Sequence, residues 1–269
     1  GEGEGEVGGP IPPCSGGNWI ASVTGAVQNE TAEGMDRVKA QLCVTDTNGL
    51  MVCLNPADTD AQGNFKISVP ENQRCMQGGI LRILKPGADR VTIYCPIPAD
   101  ESTWELEIPA PYVLLETTRA TTLPEKGEGE TERTVIFDGG LELDIIPKEF
   151  YGGGQGYDGL ASVRIDAPSS DLCFVPEDLN FSAVYGFSPE GDLSGSGGAM
   201  KIPNTTGLEE GSSVNIYVLG GLNCSLDEEG NKAHEGDWVL LGTGTVSGDF
   251  INPDTDATLP CINWMAYGP

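Results

Sequence analysis

Apolar residues recur along this chain in short runs that alternate with polar ones, and nowhere at helical spacing over a useful length. Period-two alternation is the signature of half-buried β-strands. Trp19-Ile20-Ala21-Ser22-Val23 opens a first series. It continues with Val38 to Val44, Leu50 to Leu54, Phe65 to Val69, Ile80 to Leu84, Val91 to Tyr94 and Trp104 to Ile108. Strands packed this densely, about seven in about ninety residues, predict a β-sandwich.

A second series starts at Val135-Ile136-Phe137 and Leu141 to Ile145. Ser162 to Ile165, Phe181 to Tyr185, Val214 to Leu219, Trp238 to Leu241 and Cys261 to Trp264 follow. Between the two series, Pro, Thr and Glu dominate, and a G-E-G-E repeat at 127–130 echoes the chain's beginning, GEGEGEVGGPIPP. Such composition marks a linker and a polar tether. The expected organisation is a 1–16 tether, a sandwich over 17–110, a linker over 111–133 and a second sandwich over 134–269. The fold class is all-β, two antiparallel β-sandwich domains.

Composition agrees. Glycine at 38 and proline at 19 make up about a fifth of the 269 residues without a collagen period, which suits many turns between short strands. No run of apolar residues is long enough to span a membrane as a helix. A net charge of −27 would repel phosphate backbones, so no nucleic-acid partner is expected. It suits a solvated acidic coat, cation binding, or attraction to a basic partner.

Cysteines at 14, 43, 53, 75, 95, 173, 224 and 261 form an even set without a C-x-x-C pair, and the single His234 cannot complete a zinc finger. Disulfides in an oxidising compartment are the expectation. Asp46-Thr47-Asn48-Gly49-Leu50 suits a hairpin with a three-residue loop and Gly49 in the left-handed position. That register places Cys43 opposite Cys53. Cys75 and Cys95 bracket a hairpin turning at Pro86-Gly87, and Cys224 and Cys261 both adjoin strands. Cys14 and Cys173 then remain as a staple from the N-terminal segment to the second domain. Only the Cys43–Cys53 pairing rests on register.

Asp58 to Pro70, DTDAQGNFKISVP, opens like a calcium loop and closes like a strand. With Asp58 as position 1, Val69 stands where an EF-hand needs its bidentate Glu, and no helix flanks the loop. The turn-then-strand reading is favoured. Asp58 and Asp60 stay as candidate calcium ligands with help from backbone carbonyls. Asp254 with Asp256, and Asp227-Glu228-Glu229, are further cation candidates, and for these a plain acidic turn is the favoured reading.

Gly25-Ala26-Val27, the strand Val38 to Val44 and Thr59-Asp60-Ala61-Gln62-Gly63-Asn64-Phe65 resemble the carboxypeptidase regulatory-like (transthyretin-like) domain family over about residues 17–110. The resemblance implies a seven-stranded β-sandwich without catalysis, used as an accessory, adhesive or carbohydrate-associated module. The cysteines and the C-V-T-D-T-N-G-L-M-V-C hairpin are additions to that outline. In the second half, Glu210 to Gly220, Gly236-Asp237-Trp238, Gly242 to Ser247 and Leu259 to Trp264 resemble modules of secreted myxobacterial lipoproteins. That resemblance implies a cell-surface setting, and the tether resembles one that follows a lipid-anchored cysteine.

Reaction chemistry is not evident. Leu193-Ser194-Gly195-Ser196-Gly197-Gly198 lacks the Gly-Asp that precedes a protease serine, and His234 lies in the polar stretch NKAHEGD. Metalloprotease, phosphate-loop and dinucleotide motifs are absent. Trp19, Trp104, Trp238 and Trp264 sit in alternating strands, where burial is the common outcome and a sugar-stacking platform the alternative. N-x-S/T triplets at Asn29, Asn180, Asn204 and Asn223 matter only in a glycosylating cell. The sequence predicts a non-enzymatic extracellular or cell-surface protein with a binding or structural role. Its partner would be itself or another surface protein, it would meet a membrane only through a lipid anchor, and calcium is its one candidate cofactor. The alternatives are a filament subunit assembled by strand donation and a carbohydrate-binding module.

Overall fold

Alternation becomes structure at Asn64–Ser68, where Phe65 and Ile67 turn inward and Asn64, Lys66 and Ser68 face solvent. In the computed structural model, which describes residues 9–87, 89–124, 129–152, 159–168, 172–176, 178–193, 197–227 and 229–269, this strand pairs antiparallel with Ser22–Gln28. Gly25 lies opposite Phe65 and Val23 opposite Ile67. The protein is all-β: no α-helix occurs among the described residues.

The chain divides into two compact units. Unit 1 comprises 1–85 and 93–114 and carries two sheets. In the larger, Lys39–Asp46 runs between Cys75–Leu84 and the edge strand Met51–Cys53; Asn18–Trp19 and Ile93–Pro96 also pair with Cys75–Leu84. Buried Val23, Val27, Ala40, Leu42, Phe65, Ile67, Leu81 and Ile83 supply the core.

The smaller sheet departs from the antiparallel expectation. Leu106–Glu107 and Tyr112–Val113 both pair in parallel with Ser22–Gln28, with Leu106 opposite Val23 and Tyr112 opposite Val27. Pro109 and Pro111 separate the two segments; proline offers no N–H to a ladder, so the strand expected over Trp104 to Ile108 breaks there and resumes. The segment 111–133 is thus partly built into the sheets. Tyr112–Val113 belongs to unit 1, and Thr118–Arg119 pairs with Ala161–Asp166 in unit 2. Leu114 and Leu123 are buried. The first half of the G-E-G-E repeat in this segment, and all of the one at the chain's beginning, lie outside the described residues.

Unit 2 comprises 86–92 and 115–269. Where a two-sheet sandwich was expected, most strands among its described residues join one eleven-stranded sheet, and Cys224–Ser225 pairs with Lys232–Ala233 in a separate two-stranded one. Its centre runs Ala161–Asp166, Ala183–Leu193, Cys261–Gly268, Ser213–Leu219 and Trp238–Ser247, all antiparallel. Phe250–Pro253, Met200–Pro203, Glu142–Ile145 and Arg133–Ile136 continue the ladder. Met200–Pro203 and Phe250–Pro253 are the short links that make two sheets one, and they are too brief for alternation to reveal. The sheet's inner side chains, among them Val135, Leu143, Tyr185, Ile216, Ile251, Met265 and Tyr267, share a single core.

Every residue of Cys261–Gly268 is buried, so this strand is covered on both faces. On the face away from the core, Val184, Ala266, Tyr217 and Leu240 lie in one cross-strand row and Gly186, Trp264, Leu219 and Trp238 in the next. Phe174 packs on Trp264 with ring centres 4.4 Å apart, and Phe181 on Trp238 at 4.8 Å. The Trp264 indole donates to the Thr92 carbonyl, so the turn 86–92 helps to cover this face.

The sulfur pairing follows register. Cys43 and Cys53 are direct cross-strand partners and are bonded. Cys224–Cys261 is also as expected. The expected Cys75–Cys95 bridge is replaced by Cys14–Cys75, which rules out Cys14–Cys173 as well. Cys95 lies opposite Leu81, six residues along the strand from Cys75 and so about 20 Å away. Trp19 lies opposite Cys75, and the segment preceding it brings Cys14 to that end. Cys95 and Cys173 are also disulfide-bonded, and no cysteine is free.

Candidate functional site

Asp60 is consumed by its own turn. One carboxylate oxygen accepts the N–H groups of Gln62 (2.9 Å) and Asn64 (2.8 Å), and the other accepts from the Asn64 amide at 3.2 Å. These bonds, the Asn64 backbone N–H foremost, hold its pKa below the ordinary carboxylate value. Asp58 faces elsewhere, in a 2.7 Å ion pair with Lys39 across the sheet. The two calcium candidates are therefore engaged separately.

The same five-residue loop recurs. Asp46 accepts from the N–H groups of Asn48 and Leu50, and Asp227 from those of Glu229 and Asn231. Asn29 does this with Thr31 and Glu33, and Asn204 with Leu208. The fourth residue of each loop (Ala32, Gly49, Gly63, Gly207, Gly230) has positive φ. Asp or Asn at position one and, in four of the five, Gly at position four is a turn chemistry that imitates a calcium-loop motif. Asn29 and Asn204, two of the glycosylation triplets, are thereby turn-forming residues. Asp254 bonds the Thr243 hydroxyl. Within each unit, no three His, Cys, Asp or Glu ligand atoms of the described residues converge to metal-binding distance.

The tryptophans divide. Trp19 and Trp264 are buried, whereas Trp104 and Trp238 are half-buried. Trp104 packs edge-on to Trp19 at 4.7 Å and donates to the Gly9 carbonyl at 3.0 Å. Trp238 donates to the Phe174 carbonyl at 2.7 Å. With Phe181 and Tyr217 it forms an aromatic cluster at the margin of the covered face, beside exposed Leu240.

The proline break in unit 1 leaves a groove of about 380 Å³, bordered by Gly25, Phe65, Glu107, Ile108, Pro109 and Pro111. Its lining is mixed, with Phe65, Ile108 and the prolines apolar and Glu107 acidic. Sequence reasoning missed the groove, although the spacing of Pro109 and Pro111 signals an interrupted ladder.

His234 is exposed. Ser194 and Ser196 lie outside the described residues. Asp192 is buried, and desolvation raises its pKa; the Ser225 hydroxyl donates to it at 2.9 Å. Arg164 lies against the ring of buried Tyr185, whose hydroxyl pKa is raised by burial.

No family model matches the chain, and no curated protein matches it. Among solved structures it is similar to "The Bacillus anthracis TIE protein", at 11% identity and a TM-score of 0.22. That similarity covers 88% of this chain and 47% of the other, so the chain spans about half the length of that structure.

Proposed function

We propose that this chain is a non-enzymatic protein of the cell exterior with a binding or structural role. The observation that carries the reading is the oxidation of all eight cysteines. Bridges of this density persist in oxidising compartments and not against cytosolic thiols. The charge of −27 keeps such a protein dispersed and disfavours anionic partners. Unit 1 acts as an accessory module of the carboxypeptidase regulatory-like kind. The turn at Asp60 that feeds a strand paired with Gly25-Ala26-Val27 supports that assignment.

Protease treatment of intact producing cells tests the exterior location. Release of the chain before lysis is expected, and full protection until lysis contradicts it.

A second reading, assembly by strand addition, is favoured by one feature. Arg133–Ile136 ends the ladder of unit 2, pairs on one side only among the described strands, and exposes Ile136. An open edge of this kind accepts a strand from another copy. Electron microscopy of concentrated protein decides: fibres support assembly, and dispersed particles at every concentration remove it.

A further inference from the structure

We propose that the Cys43–Cys53 bridge is a thiol-exchange site, at which an external thiol becomes covalently attached to Cys53. This goes beyond the binding or structural role and does not depend on it.

Four observations converge. First, Cys53 is the one exposed half-cystine of the eight. Cys224, Cys261, Cys43 and Cys95 are buried, and Cys14, Cys75 and Cys173 are half-buried. Exchange needs a thiolate to reach a disulfide sulfur, so access selects this bridge. Second, Cys53 ends the three-residue edge strand Met51–Cys53, with no strand on its outer side in the described sheet.

Third, of the three bridges paired above, this one constrains the chain least. It spans a sequence separation of 10, against 37 for Cys224–Cys261 and 61 for Cys14–Cys75. A shorter loop removes less entropy from the unfolded chain. Fourth, the hairpin is anchored on both sides of the bridge without sulfur. At the tip, Asp46 accepts the Asn48 and Leu50 N–H groups, and the Asp46 N–H donates to the Leu50 carbonyl. At the base, the Leu54 N–H donates to the Leu42 carbonyl at 2.8 Å, and the Gln41 amide donates to the Leu54 carbonyl at 3.0 Å. Opening the bridge therefore leaves Cys53 displayed on a strand that stays in place.

In the exchange, a low-molecular-weight or protein thiolate attacks the Cys53 sulfur. A bond forms between the two, the Cys43–Cys53 bond breaks, and its electron pair leaves on the Cys43 sulfur, which takes a proton from water. Return attack by Cys43 on Cys53 expels the added thiol and restores the bridge. A second external thiol attacking the mixed disulfide instead releases an oxidised dimer of that thiol and leaves both cysteines reduced.

The test treats the native chain with graded glutathione, stops exchange and alkylates in one step with excess iodoacetamide at mildly alkaline pH, and maps the peptides by mass spectrometry. The expected result is glutathione on Cys53 and carbamidomethyl on Cys43, at a rate at least about tenfold above labelling at the other six cysteines. Labelling of another bridge first, glutathione on Cys43, or no opening without denaturant overturns the proposal. A variant carrying both Cys43→Ser and Cys53→Ser should fold with its other six cysteines oxidised and take up no glutathione over the same range. Failure of that variant to fold would make the bridge structural and contradict the proposal.

Discussion

Gly63 shows how far single residues decide this fold. Its φ of 86° lies in the left-handed region, and a Cβ there would meet the Val27 carbonyl oxygen at 2.2 Å. Gly63→Ala therefore combines left-handed strain with a backbone clash, and a loss of about 2 kcal/mol or more is expected in urea unfolding. The carboxylates of these loops set a pH limit. Asp46, Asp60 and Asp227 are held below the ordinary value of 3.8, by the Leu50 N–H, the Asn64 N–H and the Asn231 side chain respectively as the largest causes. A lowered folded pKa means that their contribution is complete above about pH 4 and is lost as pH falls through the folded value. Asp60→Asn should thus melt below the original protein at pH 7, with the gap closing below about pH 4; a gap that widens in acid contradicts this. The turn was legible at this scale because Asp, Gly and Asn at fixed offsets have few other solutions. The separate ion pair of Asp58 was not, because Lys39 is distant in sequence.

Strands and bridges were legible wherever a turn fixed the register. The three-residue loop after Asp46 places Cys43 against Cys53, as the sequence implies, with Gly49 at φ 83°. Cys75 and Cys95 bracket a real hairpin, but flanking a hairpin is not facing across it. The ladder sets them six residues apart, and Cys14 takes the place beside Cys75. Strands that lack alternation escaped notice. Ala183–Leu193 extends past its expected end at Tyr185 because the glycines and proline that suggest a turn sit instead at a register shift between Gly186 and Gly191. In unit 2 the Cys224–Cys261 bridge joins the central, fully buried strand to the short Cys224–Ser225 pairing. Replacing both cysteines by serine should lower the stability of unit 2 by about 4 kcal/mol in the chain-entropy account. Chemical denaturation followed by Trp fluorescence measures this, and a loss under about 1 kcal/mol would assign the strand's stability to packing alone.

At the scale of the molecule, the all-β class was readable, while the way unit 2 closes was not. Its two expected sheets become one through Met200–Pro203 and Phe250–Pro253, whose pairings depend on residues far apart in the chain. The acidic surface adds a collective term. With 41 acidic against 14 basic residues, self-repulsion opposes compaction. Raising salt from about 0.01 M to about 1 M shortens the screening length from about 30 Å to about 3 Å, so the melting temperature should rise. A fall would show that specific ion pairs such as Lys39–Asp58 outweigh the net charge. Sulfur cross-links organise the paired sheets, and a non-reducing peptide map of the native chain reads them out. Cys14–Cys75, Cys43–Cys53 and Cys224–Cys261 peptides with no free thiol are expected. Free thiols, or a Cys75–Cys95 peptide, would contradict this pairing.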